Sequence, residues 1–369
     1  MWLAGVALGI AIVALFLGVL VLASPASRSS PWKLIASFHS GIGRDAADNL
    51  SSISCPSQSV CEVVGSSGNF SDGVIFKTSD AGRQWIRLFF VPNVLLESIT
   101  CPSISFCVAA GISPSALSPV LTIPEVSGGS IWTSDDSGAR WTRGILPRGR
   151  VPAIGGVYCS AAGDCLAAAE SVSSSEILRS TNYGASWSVA STLPRGLTLF
   201  TVTCASRSLC IAAGARDSTR GEIMRSTDGG STWTGVIPRG QYLDFVRGVT
   251  CLSSTSCVAV GDIYSVWTTN DAGRTWTYRA TPIDIGDLSG VSCIGRLCTA
   301  VGQANSATVQ SFSGPHGVVL RSDDAGRHWL RRATINSTFS LDGIACVSRS
   351  LCWIASSTDP NNGAIFSVT

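Results

Sequence analysis

The chain has 369 residues, of which 45% are hydrophobic and 14% charged, with a formal net charge of +2. A balance this close to neutral argues against non-specific nucleic-acid binding, which needs a strong basic excess. Abundant glycine (38) and recurrent Val/Ile/Thr runs favour an all-β chain rich in turns, and fourteen cysteines exceed the usage of an ordinary cytosolic protein.

Residues 2–23, WLAGVALGIAIVALFLGVLVLA, carry no charge. As a helix they reach roughly 33 Å at about 1.5 Å per residue, enough to span a bilayer core. The segment lacks the basic start and short apolar core of a cleaved signal, although Val21-Leu22-Ala23 and Ser24-Pro25-Ala26 offer cleavage sites. Residues 1–24 are therefore expected to be a membrane anchor or signal segment and 25–31 a linker. Arg28 and Lys33 weakly favour keeping the following side inside, whereas the cysteines require export. The cysteines outweigh them, so the main domain is expected to be extracytoplasmic, membrane-anchored or secreted.

From residue 32 onward two patterns repeat. The cysteines form seven pairs: Cys55/Cys61, Cys101/Cys107, Cys159/Cys165, Cys204/Cys210, Cys251/Cys257, Cys293/Cys298 and Cys346/Cys352. Turn formers such as Pro56-Ser57 lie within the pairs and strand-like runs such as 257–260 lie outside them. Each pair reads as the two ends of a hairpin, where facing Cα atoms approach closely enough for a disulfide. Zinc knuckles use shorter spacings and must converge in twos, so no metal is expected.

Between cysteine pairs runs Ser/Thr-x-Asp-x-Gly-x-x-Trp, at 78–85, 134–141, 226–233, 269–276 and 322–329; a sixth copy, 180–187, carries Asn182 in place of Asp. Asp80, Asp136, Asn182, Asp228, Asp271 and Asp324 are assigned a structural role, their side chains accepting hydrogen bonds from a tight turn. This string is the Asp-box, and the chain resembles the BNR/Asp-box repeat families.

Each unit then reads as strand a, cysteine hairpin, strand b, loop, strand c, Asp-box, strand d. In unit two these are Ile99-Thr100-Cys101, residues 107–110, residues 130–133, and a strand opening at Trp141. The period of 42 to 58 residues suits a four-stranded propeller blade. Seven cysteine pairs against six boxes leave one box split between the termini. Residues 364–368 match strand c of unit one, and Pro31-Trp32-Lys33-Leu34-Ile35 matches the strand after a box. The expected fold is all-β: a seven-bladed β-propeller over 32–369, closed by an N-terminal strand and preceded by an N-terminal hydrophobic helix. A β-solenoid is the alternative, and it would not need complementary ends.

With cysteine hairpins and Asp-boxes on one face, binding is expected on the opposite face, made by the d–a and b–c loops. Two b–c loops are long, 111–129 and 302–317, and three d–a loops repeat Pro-Arg-Gly, at 147–149, 194–196 and 238–240. Arg148, Arg195 and Arg239, with Arg143, Arg150 and Arg247 nearby, are candidates for binding a partner's carboxylates; the alternative is that Pro-Arg-Gly is only the turn leaving strand d.

Sialidases share Asp-boxes, but nothing like their Arg-Ile-Pro motif precedes Thr78, and Arg150-Val151-Pro152 follows the second box. Asp244, Asp284, Asp287 and Asp342 lie near the starts of strands a and could point inward, but no catalytic residue and no cofactor is assigned. The chain is more similar to non-catalytic Asp-box propellers such as the photosystem II assembly and stability factors, which implies docking on a membrane protein. The seven cysteine pairs depart from that pattern. The expectation is a monomeric, membrane-tethered propeller binding a protein or glycan, with no nucleic-acid partner; a sialidase-like or other glycoside hydrolase is the alternative.

Overall fold

The computed structural model describes residues 31–38, 47–67, 71–113, 128–147, 153–170, 174–217, 220–236, 244–263, 265–282, 285–304, 316–336, 338–358 and 362–369. The expected N-terminal helix at 1–24 lies outside them. No helix among the described residues is long and apolar enough to cross a membrane.

The described chain forms 28 strands in seven antiparallel sheets of four. Blade one is β2 (Asn49–Ser54), β3 (Cys61–Ser67), β4 (Asp72–Thr78) and β5 (Ile86–Val91), paired in chain order. The last blade takes β26 (Thr338–Ser348), β27 (Leu351–Thr358) and β28 (Asn362–Val368) from the C-terminus, and β1 (Trp32–Ser37) from the start of the domain. Trp32 pairs with Val368 and Leu34 with Phe366, and the Trp32 and Phe366 rings meet edge-on with centroids 5.7 Å apart. The split seventh unit is thus completed as the sequence predicts, and the ring leaves no free inner edge for another chain to extend.

All seven disulfides form as paired in the sequence, with Cα atoms 3.9 to 4.1 Å apart. In five of them the cysteines face one another across the ladder: Cys159 and Cys165, Cys204 and Cys210, Cys251 and Cys257, Cys293 and Cys298, Cys346 and Cys352. Reading each pair simply as the two ends of a hairpin misses a difference between them. The second cysteine opens strand b, which has a neighbouring blade on each side, and it is part of the core. Cys61, Cys257 and Cys298 are fully buried, and Cys107, Cys165, Cys210 and Cys352 nearly so. Cys257 packs with Ile211 and Trp276, and Cys298 with Val258 and Trp329. The Cys352 sulfur lies 3.6 Å from Thr299 Oγ1 of the preceding blade. The first cysteine of most pairs, such as Cys251, Cys293 and Cys346, is only half-buried. Each bond closes a very short loop, for which chain entropy predicts about 2 kcal/mol of stabilisation. Such bonds persist in oxidising compartments.

Seven buried clusters fill the seven interfaces between neighbouring blades. The tryptophan that ends each Asp-box packs into the interface with the preceding blade: Trp141 lies with Val64 and Ile75, Trp187 with Val108 and Ile131. The box holds that tryptophan in place. In blade one Thr78 Oγ1 donates to Asp80 Oδ1 at 2.9 Å and accepts from the Gly82 amide at 2.9 Å, while the Gln84 amide donates to Asp80 Oδ1 at 3.0 Å. Gly82 sits at φ +82°, a conformation other residues resist. Asn182 serves equally because only its carbonyl oxygen is needed: Oδ1 accepts from Ser180 Oγ at 2.8 Å and from the Ser186 amide at 3.0 Å. The turn also ties blades together. Thr133 and Arg225 donate to the backbone carbonyls of Tyr183 and Ala272 in the next blade's box, at 2.7 and 2.6 Å.

Hydrogen bonds from Thr232, Ser226 and the Ser231 amide hold Asp228 down at about 2. Because its folded value is depressed, its contribution is present above the ordinary carboxylate range and is lost as pH falls from about 4 towards 2. Asp228→Ala is expected to cost about 1 kcal/mol at pH 7, the low end because the site is exposed, and Asp228→Asn, which keeps one accepting oxygen but loses the charge, a part of that. Urea titration at pH 7 and pH 3 checks both, and equal losses at the two pH values would refute the charge contribution.

Candidate functional site: the axial channel

Each blade begins with its innermost strand, and these seven strands share one sequence pattern. Counting back from the first cysteine of each pair, the fifth residue is Leu50, Leu96, Ile154, Leu199, Val246, Leu288 or Leu341, all buried against a neighbouring blade. The third is always Ser, Thr or Gly and the second always Ile or Val. The fourth follows no such rule: Ser51, Glu97, Gly155, Phe200, Arg247, Ser289, Asp342.

This fourth residue is the extra residue of a β-bulge in every blade. The register slips between Leu50 and Ser52, Leu96 and Ser98, Ile154 and Gly156, Leu199 and Thr201, Val246 and Gly248, Leu288 and Gly290, and Leu341 and Gly343. A bulge re-aims the inserted side chain. Here it lets the fifth residue stay in the interface while the fourth turns to the axis. The seven bulge residues, with the small residues beside them, line a channel of about 210 Å³.

Strand b makes room for the bulge. Four residues after the second cysteine stand Gly65, Gly111, Gly214, Gly261 and Gly302, with Ala169 and Ser356 in the other two blades. A Cβ on Gly111 would lie 1.9 Å from the Leu95 carbonyl oxygen, and one on Gly261 1.9 Å from that of Phe245.

The channel ring is electrically lopsided. Arg247 donates through Nε and Nη2 to the two carboxylate oxygens of Asp262, the second at 2.9 Å, and its guanidinium lies 5.7 Å from the centre of the Phe200 ring. On the other side stand Glu97 and Asp342, either side of Ser51 in blade order. Burial, reinforced by the charge of Asp342, pushes Glu97 up to about 7. Burial pushes Asp342 up to about 6, against hydrogen bonding from Ser340 at 2.8 Å and the field of Arg247. Asp244 is raised by burial and then by Asp262 and Asp287. Asp287 is itself held by Gln303 at 2.8 Å and the Ile263 amide at 3.2 Å.

The raised value of Glu97 fixes the sign of a pH effect. Below about 4.5 the carboxyl is neutral folded and unfolded; stability is lost as pH rises towards 7, where the folded state must accept a buried charge. Glu97→Gln is expected to raise the melting temperature at pH 8 by about 3 °C or more and leave it unchanged at pH 4. Differential scanning calorimetry at the two pH values tests this, and a loss at pH 8 would show the charge to be stabilising.

The three candidate arginines among the described residues do not share one environment. Arg247 is on the axial ring, already bonded to Asp262. Arg143 is exposed on the two-residue outer strand Thr142–Arg143 of blade two, at the perimeter. Arg195 is exposed in a turn whose Gly196 takes φ +79° and accepts a hydrogen bond from the Asp217 amide at 2.6 Å. Arg148, Arg150 and Arg239 lie outside the described residues, as does Asp284. Of the strand-start aspartates, Asp342 joins the ring, Asp287 lies in the field of Arg247, and Asp244 lies beside Asp262 and Asp287. Glu97 was missed by sequence reasoning, although the divergent fourth position of the repeat marks it.

The one convergence of three metal-ligating groups among the described residues is Glu62, Cys101 and Cys107. It is not a metal centre, because the two sulfurs form a disulfide and Glu62 is paired with Lys77 at 3.1 Å.

No family model matches the chain, and no curated protein matches it. Among solved structures it is similar to Ycf48 bound to D1 peptide, with a TM-score of 0.63 at 11% identity, covering 94% of this chain and 99% of that one. Ycf48 from Cyanidioschyzon merolae matches with a TM-score of 0.58 at 15% identity, covering 91% and 98%. The GH74 enzyme of Niastella koreensis matches with a TM-score of 0.56 at 12% identity, covering 86% of this chain and 51% of the enzyme. At these identities the likeness is one of fold.

Proposed function

We propose that the protein is an exported, non-catalytic propeller that holds a segment of a protein partner on the face where the inner strands begin. In this reading residues 1–24 tether a monomeric propeller to a membrane, and its service is to assist or scaffold a membrane complex. The observation that carries it is the divergence of one column in an otherwise regular repeat. Fold requirements set the residues on either side of each bulge, yet the bulge residue itself ranges over Ser, Glu, Gly, Phe, Arg and Asp and faces the axis. The disulfides and Asp-boxes occupy the opposite face. A neighbour of the same fold is described bound to a peptide, and seven disulfides suit an extracytoplasmic compartment. Arg148, Arg195 and Arg239 are proposed to contribute cations to the rim around the channel.

Affinity capture from native membranes, with the 31–369 domain and its Arg148/Arg195/Arg239 charge-reversed form side by side, tests the reading. A membrane protein retained by the first and lost by the second is the expected result; capture of nothing by either would overturn it.

A glycoside hydrolase is the second reading, favoured by one observation: Glu97 and Asp342 line one channel, and the protonated form of Glu97 persists to about pH 7, as a general acid requires. It predicts turnover of a glycoside panel that Glu97→Gln abolishes, and absence of turnover across the panel removes it.

A further inference from the structure

We infer that the axial channel receives one basic side chain, a lysine or arginine, of the bound partner segment, with its cationic head between Glu97 and Asp342. The inference rests on the protein-binding reading and specifies what enters the site.

The charge around the axis decides the sign of the ligand. Within the channel lining the carboxylates of Glu97 and Asp342 stand against one guanidinium among the described residues, Arg247, which Asp262 and Asp287 also face. That guanidinium is paired with both oxygens of Asp262, which offset its charge. Glu97 is the reverse case: it faces the channel, half-buried, and has no hydrogen-bond or ion-pair partner among the described residues. A buried carboxylate without a counter-charge is costly unless something supplies one.

Shape decides the class of cation. Among the described residues no three ligand atoms converge in the channel as a directly bound metal would need. A side-chain cation carries its charge on a stem and can lie between two separated carboxylates. Ser51, Gly155 and Ser289 leave that stem space, and Phe200, across the ring from Ser51, offers it an apolar wall. Entry of a cation favours the charged forms of Glu97 and Asp342. Binding is therefore coupled to proton release and strengthens as pH rises through 6 to 7; Arg247 is the other charge acting on the pair, and Asp262 and Asp287 act on Arg247.

Isothermal titration of the 31–369 domain with acetylated, amidated Gly-Gly-X-Gly-Gly peptides, X being Lys, Arg, norleucine or Glu, tests the assignment. Lys and Arg peptides are expected to bind at pH 8, at least ten-fold more weakly at pH 5.5, and at least ten-fold more weakly to the Glu97→Gln/Asp342→Asn variant. Equal binding of the norleucine or Glu peptide, unchanged affinity in the variant, or no binding of any peptide would each overturn it. Thermal unfolding of the variant at pH 8 shows that it is folded. Membrane capture keeps the two claims apart: a partner held undiminished by the double variant but lost on arginine reversal refutes the channel assignment and leaves the protein-binding reading standing. Lysine-peptide binding without any captured partner refutes the reading and leaves a cation site.

Discussion

Gly111→Val is expected to destabilise the domain by about 3 kcal/mol, the upper range for forcing atoms into a packed site. The added Cβ would meet the Leu95 carbonyl oxygen at 1.9 Å, and the glycine φ is not at issue; space is. Backbone cannot move out of the way as a flexible side chain can, so the strand must part from its neighbour or give up the bulge. Losing the bulge would swing Glu97 off the axis and pull Leu96 from the interface it fills with Val64 and Ile75. Ala169 and Ser356 stand at the matching positions of blades three and seven, so a small Cβ is accommodated there, whereas valine adds a branched side chain. Denaturant unfolding of the purified domain provides the measurement. A change below about 0.5 kcal/mol, the scale of a neutral surface substitution, would show that the bulge tolerates side chains and does not depend on glycine.

Removing residues 1–37 is expected to be more damaging still. β28 would lose the partner that pairs with it from Trp32 to Ser37, and Phe366 would lose the Trp32 ring. Five ladder positions at about 1 kcal/mol each suggest a loss near 5 kcal/mol, and the bared edge of β28 would invite association. Thermal unfolding with sedimentation velocity tests both consequences against the 31–369 domain. A monomer with an unchanged melting temperature would mean that the terminal strand decorates the ring without closing it.

The fold was legible because its two repeats mark the ends of strands. Cysteine pairs and Asp-boxes each bracket a turn, and two marked turns in every unit leave few alternatives to a four-stranded blade. The split last blade was visible for the same reason, as Trp32 and the 364–368 run are halves of a pattern seen six times over. The cysteine spacing gave the pairing but not the burial. That Cys257, Cys298 and Cys352 belong to the core follows from the blades on either side of strand b, which no single hairpin reveals. The site was less legible. Alternation along a strand assigns side chains to two faces, and a bulge breaks that alternation at the one residue that matters. Glu97 therefore reads as an ordinary polar position between Leu96 and Ser98, whereas alignment of the seven units against their cysteines singles it out. Asp342 was noticed as an aspartate near a strand start, but not its relation to Glu97, which depends on two blades meeting around an axis. Of the Pro-Arg-Gly arginines, Arg195 is the one among the described residues, exposed in its turn. Arg247, without the tripeptide, is the one of the described candidates that reaches the centre.

Closure by β1 also sets a timetable. Trp32 is made roughly 330 residues before the strand it must join. At about 5–20 residues per second the first strand waits on the order of tens of seconds for its partner. During that interval the open ring exposes the strand edges and blade faces that the finished molecule hides. The six complete blades can each form their own hairpin disulfide as they emerge, because each bond joins neighbours in sequence and waits for nothing distant. Each short bond can thus hold its own blade in register before β1 and β28 pair.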